Sequence, residues 1–223
     1  MADSEVLETI GAEARDRLVE AYQRMTAGPD PLPPGRVSLV LRDMLVQGNT
    51  AARIDGEALA LRQLEELGID VDATWTSTGR SRADRRAALR AAGELAEQER
   101  ERFTSALATI LTEATDEESI LTRLGRLALA EAIDAARART ADVMRGTELV
   151  EGWVRELDSD PCQLCRWWWR EGRVWPASHN MPKHPGCACA QRWTAVPQAS
   201  IRMVGTEAEA ASAARYAAEE GTP

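Results

Sequence analysis

Cys162 and Cys165 are followed by His184, Cys187 and Cys189, and the chain has no cysteine anywhere else. Written as a pattern this is C-x2-C-x18-H-x2-C-x-C, two close-spaced groups of donors that a fold can bring around one ion. Thiolate sulfur with imidazole nitrogen suits zinc, and nothing nearby has the form of a haem or iron–sulfur motif. These donors exceed by one the places of a tetrahedral site. Cys162, Cys165 and Cys187 form the core of the expected set. His184 and Cys189 contend for the last position, or divide it between direct ligation and support of the other ligands. A single structural zinc ion is therefore the expected cofactor.

Other chemistries fit these residues less well. Two disulfides would need an oxidising compartment. Met1 to Glu8 is acidic and lacks the apolar stretch of a secretion signal, so a reduced, cytosolic setting is expected. A serine protease needs a nucleophile, a base and an orienting acid, and the sequence holds only two histidines, His179 and His184. With His184 among the metal donors, His179 is left with Ser178 beside it and Asp158 or Asp160 as acids. Sequence neighbours make a poor nucleophile–base pair, and neither G-x-S-x-G nor H-E-x-x-H occurs. A thiolate-rich set also closes the coordination position that a hydrolytic metal keeps open. His179-Asn180 raises the H-N-H nuclease pattern, but Ser178 stands where that chemistry wants an acid. No catalytic residue is assigned.

The elements that must position the cysteines follow from periodicity. Leu7, Ile10, Ala14, Leu18 and Met25 form one stripe of an amphipathic helix between Ser4 and Met25. The run from Gly28 to Gly35 contains four prolines and predicts a stiff, extended linker. Val37 to Leu67 is helical in pattern, with an interruption expected near Gly48-Asn49 or Asp55-Gly56 and a stop at Gly68. Ile69 to Arg82, around Trp75, reads as a loop. Ser81 with Asp84 starts a helix to Leu111, and Thr115 with Glu118 forms a capping box for another helix, whose stripe is Ile120, Leu124, Leu127 and Ala128 and whose stop is Gly146. Thr147 to Leu157 alternates like a strand, and Asp158 to Pro161 turns it into the first cysteine pair. Trp167, Trp168 and Trp169 are read as extended, with Trp167 and Trp169 on one face, packing over the metal site.

The expected organisation is a helix at 1–27, a linker at 28–35, a helical domain at 36–146, a zinc-binding domain at 147–203 and an Ala/Glu-rich tail at 204–223. The fold class is mainly α, with a helical N-terminal region followed by a small α+β zinc-binding domain. Composition suggests two kinds of core. Phe103 is the sole phenylalanine, whereas Trp153, Trp167, Trp168, Trp169 and Trp175 surround the first cysteine pair and Trp193 follows the last. No apolar run approaches the roughly 20 residues of a membrane span. A net charge of −9 argues against broad nucleic-acid binding. Locally the balance reverses: Arg166, Arg170, Arg173, Lys183, Arg192 and Arg202 face only Glu171 between Pro161 and Met203, which allows contact with DNA or an acidic partner.

A helical N-terminal part, Trp153, Asp160-Pro161-Cys162-x-x-Cys165, Gly172 and Pro182-Lys183-His184-Pro185-Gly186-Cys187-Ala188-Cys189 together resemble the phage Mu F-like minor head protein family. The resemblance covers about Asp116 to Val196, and the stretch from Arg166 to Pro176 looks like versions from actinobacteriophages, which often carry the label capsid maturation protease. It implies a low-copy minor capsid protein of head morphogenesis, made in the host cytoplasm and held inside the procapsid near the portal. The implied partners are the portal protein and the major capsid or scaffold protein.

Overall fold

The computed structural model describes residues 1–27, 29–69, 82–147 and 149–195. The expected loop around Trp75, the Ser81 cap and the Ala/Glu-rich tail lie outside them. Within these residues the chain is mainly helical with one small antiparallel sheet: α1 (Asp3–Thr26), α2 (Pro34–Glu66), α3 (Arg82–Glu113), α4 (Glu117–Arg145), β1 (Val150–Glu156), α5 (Gln163–Trp169), β2 (Trp175–Pro176) and β3 (Ala190–Ala195). The strand order is β2-β1-β3. Among the described residues no helix is long and apolar enough to cross a membrane.

The proline-rich connection is shorter than its composition suggested. Pro33 caps α2 in an extended conformation and Pro34 is its first residue, where a missing N–H costs nothing and the fixed φ is already helical. The expected interruption of this helix does not occur. It runs unbroken for 33 residues, because its apparent breakers serve packing. Asn49 is buried and donates its side-chain amide to Glu99 of α3 at 2.8 Å. Gly56 lies against α4, where an added Cβ would stand 2.2 Å from the Ala136 carbonyl oxygen. Thr140 of α4 uses that proximity to donate its hydroxyl to the Gly56 carbonyl at 2.9 Å. The start of α4 differs in detail as well: Asp116, not Thr115, is the cap, accepting the Ser119 N–H at 2.7 Å. A carboxylate one residue nearer the helix reaches the free amides and suits the positive end of the dipole.

The helical and tryptophan-rich parts share their core instead of keeping two. One buried cluster joins Leu7 of α1, Leu59 of α2 and Ile133 of α4 to Ala188 and Ala190. A second joins Leu64, Val143 and Met144 to Trp153 and Trp193 of the sheet. Polar groups seal the same seam. Gln63 of α2 donates to the Gln191 carbonyl at 3.0 Å and accepts the Trp193 N–H at 2.8 Å. Its primary amide thus imitates a further strand on the free edge of β3, a protection that exposed edges need. Asp3, fully buried at the start of α1, binds Arg62 of α2 and Arg192 of β3, so α1, α2 and the sheet meet on one carboxylate.

Two glycines of α2 make a controlled pair. Gly56→Ala forces the α2–α4 backbones apart and should destabilise the protein by about 1–3 kcal/mol. Gly48→Ala meets no atom within 4 Å and should stabilise it by about 0.5–1 kcal/mol through helix propensity. Urea-unfolding midpoints of the two variants, moving in opposite directions, check this account.

Candidate metal centre

Strand β1 delivers the chain to Asp158, which fastens the two cysteine groups together. Its carboxylate accepts the Ala188 N–H at 3.1 Å, and its own N–H donates to the Cys189 sulfur at 3.5 Å. After the turn, Cys162 stands as the cap of α5 and Cys165 lies one turn into that helix, so a two-residue spacing puts both sulfurs on one side. From the other direction, the Cys187 N–H closes a turn on the His184 carbonyl at 3.2 Å. The returning segment then enters β3 with Cys187 and Cys189 buried.

The five donors converge, and all four thiols are reduced. Cys162, Cys165 and His184 form one group and Cys165, Cys187 and Cys189 another, with the donor atoms of each group within 4.8 Å of one another. Cys165 belongs to both. His184 Nε2 lies 3.1 Å from the sulfurs of both Cys162 and Cys165, and the Cys165 and Cys187 sulfurs are 3.5 Å apart. A tetrahedral zinc site with ordinary bond lengths has donor–donor edges of about 3.5–3.8 Å, so the donors stand slightly inside the size of such a cage. His184 is turned suitably for ligation: Nδ1 lies 3.3 Å from the Pro185 carbonyl, and in the tautomer that carries its proton there the Nε2 lone pair is directed to the sulfurs. Cys162 is exposed, whereas Cys165, Cys187 and Cys189 are buried, so the cluster is open only on the Cys162 side.

Two arginines that the sequence reading did not single out surround this cluster. Arg137 of α4 is 6% exposed, and its guanidinium donates to the carbonyls of Cys187 and Cys189, the latter at 2.9 Å. Arg155 of β1 is 2% exposed, donates to the Pro182 carbonyl and lies over the Trp168 ring at 5.4 Å. Arg137 also reaches Asp134 at 3.1 Å, but that carboxylate is shared with Lys183. Arg155 has no carboxylate partner among the described residues. Both residues carried a visible signal. Arg137 interrupts the buried stripe Ile133, Ala136, Thr140, Val143 of α4, and Arg155 shares the inward face of β1 with Trp153.

The charges and thiols act on one another. Hydrogen bonding from Cys189 and the Arg137 charge hold the Cys187 thiol down, to about 5. Burial pushes Cys165 up to about 12, with the neighbouring Cys187 adding to it, and the hydrogen bond to Cys187 likewise raises Cys189. The N–H of Cys165 lowers the exposed Cys162 thiol. Burial opposes charging of His184, but the Pro185 carbonyl and the Cys187 and Cys162 sulfurs outweigh it and raise its pKa.

The tryptophan triplet is not extended. It occupies α5 and is helical, so successive side chains point about 100° apart and Trp167 and Trp169 share no face. Of the three only Trp168 packs at the cluster, its ring 6.4 Å from that of His184; Trp167 and Trp169 are exposed. His179 stacks on Trp175 with centroids 4.5 Å apart, and its imidazole makes no hydrogen bond to a serine or an acid among the described residues. No family model matches this chain, and no curated protein or solved structure matches it.

The metal-free chain should show a definite pH profile. A lowered Cys187 value contributes stability fully above the ordinary thiol pKa of about 9 and loses it as pH falls through about 5. A raised Cys165 value contributes below about 9 and is lost as pH climbs toward about 12. Urea midpoints of the chelator-treated chain, minus those of Cys187→Ser, should therefore rise from pH 5 to 9. A difference that stays constant over that range refutes the assignment.

Proposed function

We propose that the cluster holds one structural zinc ion, and that the protein is a minor component of phage heads whose C-terminal segment, packed on the helical body, is held in shape by that ion. The observation that carries the metal reading is the pair of buried guanidinium groups around four cysteines. Burying Arg155 with no carboxylate beside it, and Arg137 with only the Asp134 carboxylate that it shares with Lys183, would cost several kcal/mol without further negative charge. Three or four thiolates on a divalent ion leave a net negative centre that offsets it. His184, with Nε2 toward Cys162 and Cys165, and the buried Cys165 and Cys187 are ligands in this reading. Cys162 and Cys189 complete or support the set from opposite sides.

The head-protein reading rests on the Asp160-Pro161-Cys162-x-x-Cys165 and His184-Pro185-Gly186-Cys187-Ala188-Cys189 blocks, which resemble the Mu F-like pattern. What supports it here is that both blocks meet at one point, as a shared metal site requires. The portal protein is the proposed main partner, with the major capsid or scaffold protein beside it, and the capsid interior near the portal is the proposed location. Proteolysis has no comparable support: His184 lies among the sulfurs, and His179 rests on Trp175 away from any nucleophile–acid pair among the described residues. A H-N-H nuclease would depend on the same two histidines.

Two measurements test the two halves separately. Elemental analysis of purified protein should find about one zinc per chain, and Cys162→Ser with Cys165→Ser should abolish it. The double variant should also lower the unfolding midpoint of the whole molecule, because Ala188 and Ala190 share a core with α1, α2 and α4. Quantitative mass spectrometry of purified procapsids should detect this chain in low copy alongside the portal. Zinc-containing protein absent from procapsids would leave the metal centre standing and remove the head-protein reading.

A further inference from the structure

The outer side of α5 and the turn that follows it form an unusual surface. Trp167 is 60% exposed, and Leu164, Trp169 and Val174 are exposed around it. Arg166, Arg170 and Arg173 lie among them. Among the other described residues most arginines are matched to carboxylates, as in Arg17–Glu13, Arg102–Glu131 and Arg139–Glu57. These three form no ion pair among the described residues. Instead the Arg170 guanidinium covers one face of Trp167 at 4.5 Å, and that of Arg173 covers Trp175 at 4.5 Å. Trp167 and Trp169 line a groove of about 710 Å3 together with Leu157, Pro161 and Arg166.

The backbone beneath this surface is strained. Arg170, Glu171 and Gly172 adopt φ of 50°, 56° and 80° in succession, and left-handed geometry costs an ordinary residue about 1–2 kcal/mol. Only the third is glycine. Strain of this kind persists where the surrounding structure enforces it, and it accumulates at binding sites. Here it ends the helix at Arg170, whose guanidinium covers the indole of Trp167 three residues earlier in the chain.

From these observations we propose that this face is a docking site for an acidic polypeptide segment bearing apolar anchor residues, the indoles taking the anchors and the unpaired guanidiniums the carboxylates. Tryptophan and arginine are the side chains that dominate protein–protein hot spots. Single-stranded nucleic acid fits less well. Glu171 lines the groove, the chain carries −9 overall, and three arginines are few for a phosphate track. The inference uses neither the zinc nor the phage reading.

The test uses the full chain and three soluble probes in fluorescence anisotropy: a random glutamate–tyrosine copolymer, polyglutamate of equal charge, and oligo-dT of equal charge. The copolymer should bind best and weaken with salt. Trp167→Ala with Trp169→Ala should weaken it by about tenfold or more, and Arg166→Gln with Arg170→Gln and Arg173→Gln should do so while leaving the indoles in place. Unchanged urea midpoints and far-UV circular dichroism establish that the variants fold. No binding of the copolymer, equal binding of polyglutamate, tighter binding of oligo-dT, or wild-type affinity in either variant would each overturn the proposal.

Discussion

A guanidinium group deprived of water must find negative charge or oxygen acceptors, and Arg137 finds the Asp134 carboxylate and the Cys187 sulfur while Arg155 finds the Pro182 carbonyl and the Trp168 ring. Arg137 is anchored on α4, in the middle of the helical body, and its donors end on the two carbonyls that bracket Ala188. Arg155 is anchored on β1 and ends on Pro182, just ahead of His184. Each arginine therefore fixes the backbone of the His184–Cys189 segment from a different element. The Arg137 charge that holds the segment also favours the thiolate of Cys187, so at that residue positioning and ionisation share one physical origin.

This arrangement explains why the cysteine-bearing segment is not a detachable appendage. A short stretch of chain with few aliphatic residues cannot bury enough surface to fold alone. Here it borrows the missing surface from α1, α2 and α4, and polar groups bridge the seam: Gln63 completes the edge of β3, and Glu156 accepts the Ser4 N–H at the start of α1 at 2.7 Å. Ser159 in turn donates its N–H to Glu8 at 2.7 Å. Ordering the cysteines and ordering the helical body are consequently linked events.

Much of this was legible in the chain itself. The stripe Leu7, Ile10, Ala14, Leu18 located α1, the cysteine spacing located the cluster, and the Thr147–Leu157 alternation located β1. What failed was local chemistry overridden by tertiary contact. Gly56 and Asn49 looked like helix breakers because intrinsic propensity ignores a neighbouring helix. Gly56 is needed for backbone approach, and Asn49 for a buried bond to Glu99. The tryptophan triplet looked extended because aromatic runs favour strands. Gln163–Trp169 is instead a short helix, opened by the Arg166 N–H on the Cys162 carbonyl at 3.1 Å. Arg137 and Arg155 were detectable in principle as cations on buried faces, but only once those faces had been assigned to α4 and β1.

The short helix α5 ties the cluster to the outer surface. A seven-residue helix is too short to persist by itself in water, so its shape must be imposed from its ends and its inner side. The inner side is Cys165, fully buried against Cys187, and the first end is Cys162 beside His184. The far end is the left-handed turn at Arg170 and Glu171. Anything that loosens the sulfur contacts therefore also frees Trp167 and Arg170 on the opposite side. A surface displayed by a helix this short is only as well defined as the cysteines that hold it.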